Sequence, residues 1–277
     1  MKFNLGCQLN YSVSAPSTLI FNICAAKNNY QNILQESIKI EPSLDYEEHI
    51  SPVLENRYLR VNASEGDLQV SYQATVELSY LDEDPNSIAE VSPVDLPLDK
   101  LHYLFPSRYC QSDRLMRLAQ HEFGKLQPGY SRVTAICNWI YDNVTYLSGS
   151  TNSQTSAFDI VTERAGVCRD FAHLGIAFCR ALNIPARFVS VYSHQLQPPD
   201  FHAVFEAYLG DRWYLFDPTR LAPLEGMIRI GTGRDAADIS FATIFGAAQM
   251  KDMNVFIDCL EDKSPTFTTD AIASRSL

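Results

Sequence analysis

Cys168 opens the stretch GVCRDFAHLGIAFCRALNIPARF, residues 166 to 188, just after a Gly-Val pair. Phe171, Leu174, Ala177, Phe178, Ala181 and Leu182 then recur at steps of three and four, the spacing of a helix with one apolar face. Asn183 followed by Ile184-Pro185 ends that helix, because the residue before a proline is pushed out of αR. Cys168 therefore stands in a helical first turn, where unpaired backbone N–H groups and the positive end of the dipole favour a thiolate. The same N–H groups can hold an oxyanion, so the chemistry open to this residue is attack on a carbonyl. The opposing reading is a cysteine that only packs. That reading suits Cys7, Cys24, Cys137, Cys179 and Cys259, which lie in periodic segments. Asp170 suits the helix dipole, yet its charge works against a neighbouring thiolate unless it points elsewhere.

A thiol nucleophile needs a base, and six histidines compete. His173 lies five residues along the helix, about 140° around its axis from Cys168, and points away. His49, His102 and His121 fall in the strand-rich part, a connector and an upstream helix. His202 differs, since it opens the strand pattern FHAVFEAYL straight after the turn PPD. The next strand, RWYLFDPTR, ends in Asp217-Pro218, and Gly210-Asp211 makes the two antiparallel neighbours. The start of one then faces the end of the other, which brings Asp217 beside His202. An aspartate there accepts the imidazole Nδ1–H and stabilises the imidazolium. Asp-Pro is also an ordinary strand-ending turn. His194, in the loop VYSHQLQPPD, is the second candidate base. Cys168, His202 and Asp217 are also acceptable zinc ligands by type, but no H-x-x-x-H or C-x-x-C spacing accompanies them.

These residues need a scaffold, and the 277-residue chain reads as two domains. Residues 2 to 14, 18 to 26, 32 to 40, 57 to 63 and 67 to 81 are rich in strand formers, separated by SAPS, KNNYQN, EPSLDYEE and NASEGD. An antiparallel β-sandwich over 1–105 is the economical reading. After the connector DEDPNSIAEVSPVDLPLDKL, helical periods dominate in SDRLMRLAQHEF and SRVTAICNWIYDNV. Strands at 185 to 192, 201 to 209, 212 to 217 and 249 to 258 follow the Cys168 helix. The expected fold class is α+β, with helices packed on an antiparallel sheet over 106–277 as the catalytic domain.

Composition excludes several classes. A net charge of −11 and the lack of a Lys/Arg block argue against nucleic-acid binding. No 18-residue apolar segment exists, and MKFNLGCQLNYSVS lacks the apolar run of a signal peptide, so no membrane role is expected. Seven scattered cysteines without a C-x-x-C pair argue against a disulfide framework or zinc knuckle and for a reducing, cytoplasmic setting. No cofactor and no metal is expected.

The blocks GVCRDFAHL, DFHAVFEAYLGDRWYLFDPTR and GRDAADISFATIFG, in that order, resemble the bacterial branch of the transglutaminase-like superfamily. The resemblance covers about residues 110 to 260, and the strand-rich first hundred residues resemble the β-sandwich preceding the core in this branch. It implies a papain-like core in which Cys168 is the nucleophile, His202 the general base and acid, and Asp217 the orienting carboxylate. HAVF stands where relatives often carry His-Ala-Trp, which bears on the pocket beside the base. The resemblance also implies that the 231–246 block closes over the cleft, with Arg234 and Asp235 as candidates to touch substrate; a structural Arg/Asp pair is the alternative. The expected substrate is a peptide or protein amide. Hydrolysis makes the protein a peptidase or amidase, an amine acceptor makes it a transglutaminase, and an inactive binding relative is a third reading. The sandwich is a candidate to bind a protein partner or to mediate oligomerisation.

Overall fold

In KFNLGCQLNYSV every second side chain is apolar, and in the computed structural model, which describes residues 1–262 and 264–274, Phe3, Leu5, Leu9, Tyr11 and Val13 are buried on one face. They belong to β1 (Lys2–Phe21), which runs unbroken where a turn at SAPS was expected. Register shifts at Val13/Ala15 and Ala15/Thr18 absorb Pro16 as bulges within the strand. Then come β2 (Gln31–Glu41), β3 (Tyr46–Ile50), β4 (Arg57–Ala63) and β5 (Gly66–Leu78). β5 pairs with the first half of β1 and β4 with its second half. β2 flanks β5, and β3 flanks β4. The bend in β1 folds the sheet on itself, so that Tyr11 and Phe21 meet with ring centroids 5.8 Å apart in one core with Leu59, Val61, Val70 and Tyr72. β3 begins in EPSLDYEE, a segment expected as a turn; its residues are exposed on both faces, so no burial pattern marks it.

After β6 (Tyr80–Glu83) come α1 (Ser112–Phe123), α2 (Tyr130–Asn143), β7 (Thr145–Tyr146), α3 (Ala157–Glu163), β8 (Ala165–Gly166) and α4 (Cys168–Ala181). The strands β9 (Ala186–Ser193), β10 (Phe201–Leu209), β11 (Arg212–Phe216), β12 (Met227–Gly233), β13 (Ala242–Cys259) and β14 (Ala271–Ser274) complete the chain. One antiparallel sheet has the order β12-β9-β10-β11-β14-β6. α4 lies on it with Gly175 against the Phe205 ring of β10 and His173 against Phe188 of β9, while Phe178 packs on Phe123 of α1 and Trp139 of α2 in the same core. Each phenylalanine buried there is worth about 1.5–3 kcal/mol. Gly175 sets the helix-to-sheet distance, since a Cβ added to it would lie 2.6 Å from the Phe205 ring. The fold class is α+β, as the residue pattern implies.

The strand expected at 249 to 258 is present, but not in this sheet. It belongs to β13, which pairs along almost all of β1, from Phe3↔Cys259 to Phe21↔Ala242. β6 crosses the other way, joining the second sheet through β14. A division at residue 105 thus separates sequence textures, while each sheet borrows strands from the other side of it. Two buried amides bind the halves further. Gln31 receives the Arg229 N–H on Oε1 and donates to the Arg229 carbonyl, each at 2.8 Å, and Asn56 treats Thr232 the same way at 2.9 and 2.8 Å. Each side chain stands in for a neighbouring strand, satisfying the outer edge of β12.

Candidate active site

The local sequence places Cys168 as the first residue of α4, partly buried, with extended backbone at Val167 before it. Two antiparallel strands supply the other residues. Gly210 and Asp211, both with positive φ, make a two-residue turn, and Leu209↔Arg212 to Phe205↔Phe216 pair beyond it. Past Phe216 the strands part, and Asp217 reaches diagonally to His202.

The His202 Nε2 lies 2.9 Å from Asp217 Oδ2, and both side chains are about 1–2% exposed. The expected Nδ1–H contact is thereby corrected: the carboxylate takes Nε2. The Cys168 thiol is within hydrogen-bonding reach of the same imidazole. Burial opposes charge on His202, but the Asp217 carboxylate, its hydrogen bond and the Cys168 thiol outweigh it and push the imidazole up to about 10. At neutral pH the ring is an imidazolium.

Asp217 is itself held. Its Oδ1 accepts from the Thr219 backbone N–H at 2.9 Å and from the Thr219 hydroxyl at 2.7 Å. Thr219 was not singled out from the sequence, although Asp-Pro-Thr carries the signal: an aspartate accepting from the N–H two residues on is an Asx turn.

Asp170 does not point at the thiol. Fully buried, it accepts from the Val167 N–H at 3.0 Å and the Thr151 hydroxyl at 2.7 Å on Oδ2, while the Arg169 guanidinium binds Oδ1 at 3.0 and 3.2 Å. It closes the first turn of α4 and pins the 151 loop to it.

The remaining candidates have other partners. His173 accepts from the Ala236 N–H at 3.1 Å and stacks on Tyr109 at 5.0 Å; burial holds it neutral, down to about 3. His194 contacts the Ile257 carbonyl at 3.1 Å and the Ser264 hydroxyl at 3.2 Å. Arg234 pairs with Asp238, and its carbonyl is held by Arg180, twelve residues beyond Cys168 on α4. Asp235 is buried and accepts from the Tyr109 and Ala237 N–H groups. Arg234 is thus paired with Asp238 and not with Asp235, and the segment after β12 is tied to Tyr109 and to the far end of α4.

Residues 117–218 match the profile of the Transglutaminase-like superfamily, and residues 1–99 match that of the Bacterial transglutaminase, N-terminal domain. The crystal structure of a "Putative Cysteine Protease from Cytophaga hutchinsonii" superposes with a TM-score of 0.95 at 50% identity, covering 99% of this chain and 97% of that one. The chain belongs to the transglutaminase-like superfamily. A Mycobacterium leprae protein of uncharacterised function is 25% identical over 269 residues, spanning 90% of this chain and 94% of the relative. A Mycobacterium bovis relative, also uncharacterised, is 30% identical over 176 residues, and the chain spans only 55% of its length. The profile for the transglutaminase-like core runs from α1 to just past Asp217, so it contains all three residues of the site. No helix among the described residues is long and apolar enough to cross a membrane.

Proposed function

We propose that this protein is a thiol acyl-transfer enzyme, a cysteine peptidase or amidase acting on peptide or protein amides through Cys168, His202 and Asp217. The observation that carries the reading is the meeting of two groups on one imidazole: Asp217 holds Nε2, and the Cys168 thiol lies within reach of the same ring. The thiolate of Cys168 attacks the amide carbon and the carbonyl π pair moves to oxygen. Collapse of that intermediate expels the amine, which takes its proton from the His202 imidazolium. His202, now neutral, removes a proton from water, the hydroxide attacks the thioester, and the acid leaves with Cys168 restored. Asp217 keeps the ring oriented throughout and stabilises its positive form. The family membership and the similarity to the Cytophaga protein support a thiol enzyme of this type. An amine in place of water would give transamidation from the same acyl-enzyme. A cytoplasmic, reducing setting is part of the proposal, since the mechanism requires a reduced thiol.

Iodoacetamide labelling of the native protein tests it. Cys168 should alkylate far faster than the other six cysteines. The comparison is sharp because burial pushes Cys7 up to about 11 and Cys24 and Cys110 up to about 12. Uniform labelling would refute the proposal. Ester or amide hydrolysis that is lost with a chelator but retained in Cys168→Ala would favour a metal site instead, although among the described residues no three ligating side chains are grouped to hold an ion.

A further inference from the structure

Tyr146 lies 22 residues before Cys168, yet the fold sets it against the nucleophile. β7 and β8 run parallel, with Tyr146 paired to Gly166. The Thr145 N–H donates to the Arg164 carbonyl at 2.8 Å and the Leu147 N–H to the Gly166 carbonyl at 2.9 Å, so Tyr146 is clamped on both sides to the strand that feeds α4. Its ring leans on Phe171, one turn into the helix, with centroids 5.8 Å apart. The hydroxyl is within hydrogen-bonding reach of both the Cys168 backbone N–H and the Cys168 thiol. The residue nonetheless keeps 44% of its surface exposed, so it borders solvent beside the nucleophile. Burial of the phenolic oxygen, with the nearby thiol and Asp200, pushes its titration well up, and at neutral pH the group is an O–H donor.

Attack by sulfur leaves a negative oxygen beside the first turn of α4, and the Cys168 N–H provides one hydrogen bond there. We propose that the Tyr146 hydroxyl provides the second, making it a catalytic residue: before attack it faces the thiol, and as the S–C bond forms it donates to the developing oxyanion. The assignment rests on Cys168 being the acylated nucleophile. A parallel strand pair just upstream of the nucleophile helix delivers this donor because it fixes residue 146 relative to residue 166, two positions before the reacting sulfur.

The test compares two reactions of Cys168 in the full-length protein and its Tyr146→Phe variant. Acylation by p-nitrophenyl acetate passes through an oxyanion; alkylation by iodoacetamide, a displacement at saturated carbon, does not. Tyr146→Phe should slow the p-nitrophenolate burst by about 100-fold, the usual effect of losing one oxyanion donor. Alkylation of Cys168 should stay within about two-fold of the parent on the same argument, which also reports that the site is folded. Equal losses in both reactions would overturn the proposal, assigning Tyr146 to the thiolate or to the fold. An unchanged burst would overturn it as well. A parent burst that survives in Cys168→Ala would be a different result: it would remove the nucleophile assignment itself, and this proposal with it.

Discussion

His202 Nε2 and Asp217 Oδ2 stand 2.9 Å apart in a nearly dry environment, with Thr219 occupying the other carboxylate oxygen. The carboxylate is thereby fixed in place and the imidazole has one orientation. Asp217→Asn keeps the shape but replaces the anion. It should lower acylation of Cys168 by about a thousand-fold or more, since the ring loses both its tautomer control and its stabilised positive form. Thr219→Val, which leaves the anion and loosens only its mooring, should cost about ten-fold, within the range of a single lost hydrogen bond to a charged group. Burst kinetics with p-nitrophenyl acetate rank the two; a larger loss from Thr219→Val than from Asp217→Asn would contradict the assignment of roles.

The same contact links pH to stability. His202 is raised in the folded protein to about 10 from an ordinary value near 6.5. Its contribution is therefore complete below about pH 6.5 and is lost as pH rises toward 10, because the unfolded chain releases the proton first. Urea unfolding at pH 6, 8 and 10 should show the parent losing stability more steeply than His202→Gln. Parallel curves would mean that the pair contributes nothing to folding.

Asp170 offers a structural counterpart. Asp170→Ala takes a shared acceptor from the Arg169 guanidinium, the Thr151 hydroxyl and the Val167 N–H, at a cost of about 1–3 kcal/mol. Denaturation midpoints at constant slope measure it. Should Asp170→Ala leave stability intact and instead speed alkylation of Cys168, the carboxylate acts on the thiol and not on the turn.

Much of this was legible residue by residue. The apolar steps from Phe171 to Leu182 specify α4, and their phase leaves Cys168 in its first turn. The Gly210-Asp211 turn between two alternating segments is enough to put Asp217 beside His202, because a two-residue turn sets the register of a hairpin. These features depend on neighbours within about fifteen residues, where side-chain period and turn geometry act directly.

The rest was decided by contacts with no local signature. Asp170 could oppose or ignore the thiol, and only Thr151, Arg169 and the Val167 N–H settle its direction. The choice of Nε2 over Nδ1 is made only where the two side chains meet in the packed structure. β13 alternates like any strand, and its pairing with β1 across more than two hundred residues follows from which sheet edge was open. Tyr146 meets Cys168 because β7 and β8 pair in parallel, and two-residue strands are too short for a periodic pattern. Periodicity in the chain determines which face of each element is buried. Which faces and edges meet is a property of the packed whole, and the finer chemistry of the site resides there.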